Sequence, residues 1–184
     1  MSLLAAWLLL SGTSVELDPA WQPVADPKAL FSAAKVYCSD PNPERRTCAG
    51  MTWFSAAPDG GMRHRSVEAL SNQHNLAVQS TGRLRWDGDT TCFVLGEESF
   101  ASAQLVTLAA PHTPVSKQRY QLYFKEERVL PLLDRTICAR IYRHRDTGAY
   151  LSVGTVDGEF AGELMSSFSF IDVQSGYRLR AAND

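Results

Sequence analysis

The chain has 184 residues, of which 45% are hydrophobic and 21% charged, as is ordinary for one globular domain with a real core. The formal net charge of -2 gives no overall field that attracts nucleic acid or an anionic membrane, so we predict no nucleic-acid partner. These properties leave small-molecule binding and protein binding open.

An unbroken apolar run, Leu3–Leu10, stands near the start of the chain and is followed by small residues. It has the length of a signal-peptide core and is far shorter than the ~20 residues that span a bilayer. No Lys or Arg precedes the run, and the alternative is a buried N-terminal strand or helix. We predict a signal peptide over residues 1–20, without fixing whether residues 1–14 are cleaved, and a single β-rich domain over residues 21–184. The protein is then periplasmic or secreted, and no membrane span is predicted.

The next segment predicts one N-terminal helix. Asp26 is a candidate N-cap, and Pro27 suits the first helical position. Leu30, Phe31, Ala34 and Cys38 then fall on one helical face.

The remainder of the chain is typical of short strands joined by tight turns. Asp-Gly pairs at 59–60, 87–88 and 157–158 separate extended runs, which predicts hairpins. Arg119–Lys125 alternates apolar and polar residues, and Ile137–Arg145 is rich in strand formers. Residues 98–109 fit either a helix or a strand.

We therefore predict a mainly β fold of the α+β type, an antiparallel meander barrel or sandwich preceded by one N-terminal helix. This architecture resembles that of lipocalin-like barrels of exported proteins. The resemblance is one of architecture, and no motif of that family is present.

The four cysteines predict two structural disulfides, because an even number after an export signal is typical of oxidised proteins. We expect Cys38 to pair with Cys48, since Pro41 and other turn formers lie between them, and Cys92 to pair with Cys138. Buried free thiols are the alternative. A zinc site or redox pair needs closer cysteine spacing than the chain offers.

No catalytic signature is present: the chain has no G-x-S-x-G elbow, no H-E-x-x-H and no glycine-rich phosphate loop. His64 and Glu68 lie four apart, but on a strand that spacing spans about 13 Å, too far to share a metal. We predict a protein that is not an enzyme and has no cofactor and no metal.

Arginines at i and i+2 on several predicted strands point to one face of each strand, where they favour an anionic ligand. An ordinary solvent-facing sheet is the alternative. The candidate ligand-binding residues are Arg63, Arg65, Arg83, Arg85, Arg140, Tyr142, Trp53 and Trp86.

Two function classes are compatible with these features. The first is an exported, non-enzymatic β-domain that binds a small anionic or apolar ligand in a barrel or cleft. The second is an exported protein-interaction module, such as an inhibitor or an envelope component, that acts through its surface. A cavity lined with aromatic side chains favours the first class.

Overall fold

The structure is a computed structural model that describes residues 16–31, 34–71, 75–94, 96, 101–115 and 132–180. The predicted signal peptide lies outside the described residues, except for positions 16–20, and so does the strand predicted at Arg119–Lys125. The described strands are β1 (Trp21–Pro23), β2 (Lys35–Ser39), β3 (Thr47–Cys48), β4 (Gly50–Ala56), β5 (Met62–Ser71), β6 (Leu76–Asp87), β7 (Thr90–Val94), β8 (Gln104–Thr107), β9 (Thr136–His144), β10 (Tyr150–Val156), β11 (Glu159–Phe160), β12 (Ser166–Asp172) and β13 (Arg178–Leu179). Two short 3₁₀ helices, Pro27–Leu30 and Gly162–Leu164, also lie in this part of the chain.

Eight strands close into an antiparallel barrel, which confirms the predicted fold class. Around the ring the order is β2, β4, β5, β6, β7, β9, β10 and β12, and β12 pairs with β2 to complete it. Along the chain, successive strands of the ring pair with each other, while β3, β8 and β11 lie between them in sequence and outside the ring, as in a meander with insertions. Closure removes the free edges that an open sheet would present.

The three Asp-Gly turns lie where the sequence predicts them, between β4 and β5, between β6 and β7, and between β10 and β11. Gly60, Gly88 and Gly158 have positive φ angles of 79°, 58° and 86°. Glycine adopts this backbone conformation without a Cβ clash, which is why these pairs favour tight hairpins.

The predicted N-terminal helix is wrong. Pro27 begins only the short 3₁₀ helix, and Asp26 makes no side-chain capping bond. Cys38 belongs to β2, whose side chains alternate in burial and whose backbone pairs with β4 on one side and β12 on the other. Hydrogen bonding along both edges of this strand outweighs a local helical pattern. Within residues 98–109, left open by the sequence, the structure has strand β8, which pairs with β6.

Both predicted disulfides are confirmed, Cys38–Cys48 and Cys92–Cys138. Cys92 and Cys138 lie directly opposite each other on β7 and β9. Among the described residues, no helix has the length and apolar character that a membrane span requires.

The larger hydrophobic core lies outside the barrel, between its wall and the covering strands β3, β8 and β13. We call this layer the outer core. It contains outward-facing apolar residues of β2, β4, β5 and β6 and their covering partners, namely Val36, Cys38, Cys48, Met51, Val67, Ala77, Val106, Leu108 and Leu179. A smaller cluster of Ile137, Val156 and Ala161 fills one end of the barrel interior.

The outer core predicts where an aliphatic truncation is costly. Val106 on β8 has no exposed surface, so Val106→Ala leaves a cavity and lowers the free energy of unfolding by about 2 kcal/mol. Val173, which is 53% exposed, is the matched control. Val173→Ala changes the free energy of unfolding by less than about 0.5 kcal/mol. Urea denaturation measures both, and equal losses would contradict the outer core.

Candidate functional site

A row of hydroxyl-bearing side chains crosses four neighbouring strands on the inside of the barrel. Tyr37 lies opposite Thr52, Thr52 opposite Ser66, and Ser66 opposite Ser80. The Thr52 and Ser66 hydroxyls are 2.8 Å apart and share a hydrogen bond. Side chains directly opposite in adjacent strands share one face, so this hydroxyl row faces the barrel interior together.

The hydroxyl row borders a cavity of about 380 Å³ inside the barrel. Most of the other lining side chains are apolar, among them Phe54, Val78, Phe93, Ile137 and Ile141. Ile137, Ala139 and Ile141 alternate along β9, and all three border the cavity. Apolar walls with a few converging polar groups are typical of small-molecule sites.

Aromatic side chains close one end of the barrel. Phe31, which follows the first 3₁₀ helix, makes edge-to-face contacts with Phe54, Trp86 and Phe170 at ring-centroid distances of 4.8, 5.2 and 5.2 Å. Such pairs stabilise by about 0.5–1.5 kcal/mol beyond the area they bury. The N-terminal segment therefore acts as a cover at this end.

Glu68 is the ionisable carboxyl group that borders the cavity. Its side chain is exposed at the border of the cavity, so solvent reaches it there. Gly50, directly opposite on β4, leaves room for it: a Cβ there would stand 3.0 Å from Glu68 Cγ. Among the described residues the Glu68 carboxylate forms no hydrogen bond or ion pair. A carboxylate so placed is available to a ligand.

Tyr37 shares this environment with Glu68. Its ring stacks on Phe168 with centroids 4.4 Å apart, and its hydroxyl lies 3.5 Å from the Ser166 hydroxyl. Burial raises the pKa of Tyr37, the Ser166 hydrogen bond lowers it, and the nearby Glu68 charge raises it further. Tyr37 therefore stays protonated and can donate a hydrogen bond into the cavity.

His64 lies on the same inward face of β5 as Glu68. Its ring packs against Gly82, where an added Cβ would stand only 2.6 Å from His64 Cε1. Burial lowers the pKa of His64, and its Nδ1 has no hydrogen-bond partner within the described chain. The ring is thus neutral at pH ~7 and adds a mainly apolar surface to the cavity.

The predicted ligand-binding residues lie mostly elsewhere, around a groove on the outside of the wall. The groove has a volume of about 960 Å³ and reaches the Cys92–Cys138 disulfide. Its lining includes six of the predicted residues, Trp53, Arg63, Arg65, Arg83, Arg85 and Trp86. We call this surface the arginine groove.

Two predicted residues do not join the arginine groove. Arg140 donates to Asp89 at 2.9 Å, and that hydrogen bond is the main reason its pKa is raised. Tyr142 lies opposite Pro23 and Leu151 in neighbouring strands. Trp86 borders the groove but also contacts Phe31 at the closed barrel end.

The polar residues that border the cavity, among them Tyr37, Ser66 and Glu68, are absent from the site predicted from sequence, with the exception of Arg83. A usable signal lies in β5, where His64, Ser66 and Glu68 alternate with Arg63, Arg65 and Val67. That strand carries polar residues on both faces, which is unusual for a wall with an apolar interior. The sequence pattern relates His64 to Glu68 only as a possible metal pair, which their spacing on a strand excludes.

The comparisons with known proteins identify no relative: no family model, curated protein or solved structure matches the chain. The candidate site therefore depends on the geometry alone.

The position of Glu68 predicts a pH-dependent stability. Burial raises the pKa of this carboxyl above its ordinary value of 4.5, so its ionised form destabilises the folded chain. The penalty is present above the folded-state pKa and disappears as the pH falls below the unfolded-state pKa. Glu68→Gln therefore raises the free energy of unfolding at pH ~7, by up to about 1 kcal/mol because solvent reaching the cavity reduces the penalty.

The gain from Glu68→Gln shrinks to nothing under acidic conditions, where the wild-type carboxyl is protonated. Glu159, exposed on β11, is the control, and Glu159→Gln changes the stability by less than about 0.5 kcal/mol throughout. Urea denaturation at several pH values measures the free energy of unfolding of the wild-type chain and of both variants. A gain that does not depend on pH would contradict a raised pKa for the Glu68 carboxyl.

Proposed function

We propose that this protein binds a small, mainly apolar molecule inside its barrel. The observation that supports the proposal is the interior cavity, whose apolar walls converge on the hydroxyl row and on the Glu68 carboxylate, which has no partner in the described part of the chain. Its volume of about 380 Å³ lies in the range that ligand sites occupy.

The polar groups of the cavity indicate which end of the ligand they would hold. A carboxylate attracts hydrogen-bond donors and cations and repels anions. We therefore favour a ligand that presents an amine, amide or hydroxyl group to Glu68 and packs its apolar part against residues such as Phe93 and Ile141. Of the two ligand classes that the sequence leaves open, the cavity suits the apolar one better than the anionic one.

Binding without catalysis is part of the same proposal. The Thr52 and Ser66 hydroxyls bond each other rather than a base that could activate them. General-base activation needs a base within hydrogen-bond reach of the nucleophile. The hydroxyl row therefore suits recognition.

We also propose that the protein works outside the cytoplasm, in a periplasm or in the secreted state. The two disulfides fit an oxidising compartment, where such bonds persist. Protein recovered from its native compartment is expected to carry both bonds, as peptide mass spectrometry without reduction would show. Recovery with reduced thiols would contradict this location.

A substitution that fills the cavity tests the proposed binding site. Ser80→Leu places a larger side chain inside the barrel, whereas Ser167→Leu makes the same change at an exposed position on β12. The probe is the neutral dye N-phenylnaphthylamine, whose fluorescence rises in apolar surroundings. We expect the wild-type chain and Ser167→Leu to bind it alike, and Ser80→Leu to bind about tenfold more weakly or worse, a loss of about 1.4 kcal/mol.

Equal binding by both variants would place the dye outside the barrel and contradict the proposal, as would an absence of binding by the wild-type chain. Thermal unfolding of both variants verifies that each remains folded.

A further inference from the structure

The arginine groove contains more positively charged side chains than nearby acidic side chains among the described residues. Arg63 on β5 lies directly opposite Arg83 on β6. Like charges in directly opposite positions destabilise a sheet, so this pair has an energetic cost. Arg65 and Arg85 extend the row in either direction, because each lies two residues from one member of the pair on the same face.

Few groups of the described chain offset this charge. Asp59 approaches Arg83 at 3.7 Å, and both side chains are about half exposed, so the pair contributes little. Arg65 donates to the neutral side chain of Gln79 at 3.1 Å. Within the described residues, Arg63 and Arg85 form no hydrogen bond or ion pair. Asp87 also borders the groove and places a negative charge at one end of it.

Trp53 holds part of the groove in place. The Arg65 guanidinium lies over its ring, 5.2 Å from the centroid, and the two residues are opposite each other on β4 and β5. This cation–π contact restricts Arg65 while its free N–H groups remain available as donors. A guanidinium oriented in this way loses less freedom when it binds an anion.

We infer that the arginine groove is a second binding site, for a soluble ligand that carries at least two phosphate or sulfate groups. Guanidinium groups bind such anions through paired, charge-assisted hydrogen bonds. Successive positions on one face of a strand are about 7 Å apart, so the row from Arg65 past Arg63 and Arg83 to Arg85 spans about 14 Å. That length exceeds one phosphate. The four arginines lie on the outward face of β5 and β6, although the groove shares Phe54, His64 and Phe93 with the lining of the cavity. The inference rests on these arginines and not on the proposed cavity ligand.

Isothermal titration calorimetry with tripolyphosphate and with inorganic phosphate tests the inference. The test variant is the double substitution Arg63→Gln and Arg85→Gln. The control is Arg145→Gln, which removes one charge from an exposed arginine outside the groove that pairs with Asp146. We expect the wild-type chain to bind tripolyphosphate more tightly than inorganic phosphate, and this affinity to fall as salt is added. The double variant is expected to bind tripolyphosphate at least about tenfold more weakly than the wild-type chain.

The control and a second double variant, Arg63→Lys and Arg85→Lys, complete the test. Arg145→Gln is expected to bind like the wild-type chain. The lysine variant keeps the charge but loses the forked donors, so its affinity lies between those of the wild type and the glutamine variant. Thermal unfolding checks that the variants remain folded. We expect that they do, because removal of like charges does not weaken the sheet.

Equal affinity of the glutamine variant and Arg145→Gln would overturn the site. So would binding to phosphatidylglycerol vesicles without binding to tripolyphosphate, because it would assign the groove to a membrane surface.

Discussion

The pairing of β12 with β2 is the constraint on which the rest of the structure depends, because it turns an open sheet into a barrel. The Lys35–Asp172 ion pair at one end of this seam is largely exposed and contributes no more than about 1 kcal/mol. Inside the seam, Tyr37 stacks on Phe168 and meets Phe170 edge to face. Such aromatic contacts, together with the ladder of backbone hydrogen bonds, outweigh the ion pair. Closure therefore depends on apolar side chains within the barrel.

Closure also separates two environments along every strand. Outward residues such as Val36 and Val67 pack under β3, β8 and β13 in the outer core, which supplies much of the buried apolar surface. Because that core lies outside the wall, the interior is not the main site of packing, and space remains for a cavity with Glu68 at its border. On β5, alternation then places Glu68 inside and Arg63 outside. One strand thus borders both the cavity proposed for an apolar ligand and the groove proposed for an anion.

The features that could be predicted from the sequence are those that depend on local chemistry. The Asp-Gly turns need only the backbone freedom of glycine, and the 38–48 disulfide needs only a loop that returns on itself. The N-terminal helix failed because Cys38 lies on a strand whose two partners, β4 and β12, are set by tertiary pairing rather than by local pattern. Glu68 was missed for a similar reason: its inward position depends on closure. Arg63, Arg65, Arg83 and Arg85 lie close together because cross-strand register follows from the predicted hairpins, whereas Arg140 pairs with Asp89 away from them. No local pattern separates the outside of the barrel from the inside.

We propose that the small apolar ligand lies inside the barrel rather than on its surface. Backbone amide shifts measured by NMR during titration with N-phenylnaphthylamine test it most directly. The account predicts the largest changes at inward positions, including Thr52, Ser66, Ser80 and Ile141, with little change at outward positions such as Ser167. Changes confined to outward positions, or none at saturating dye, would contradict it.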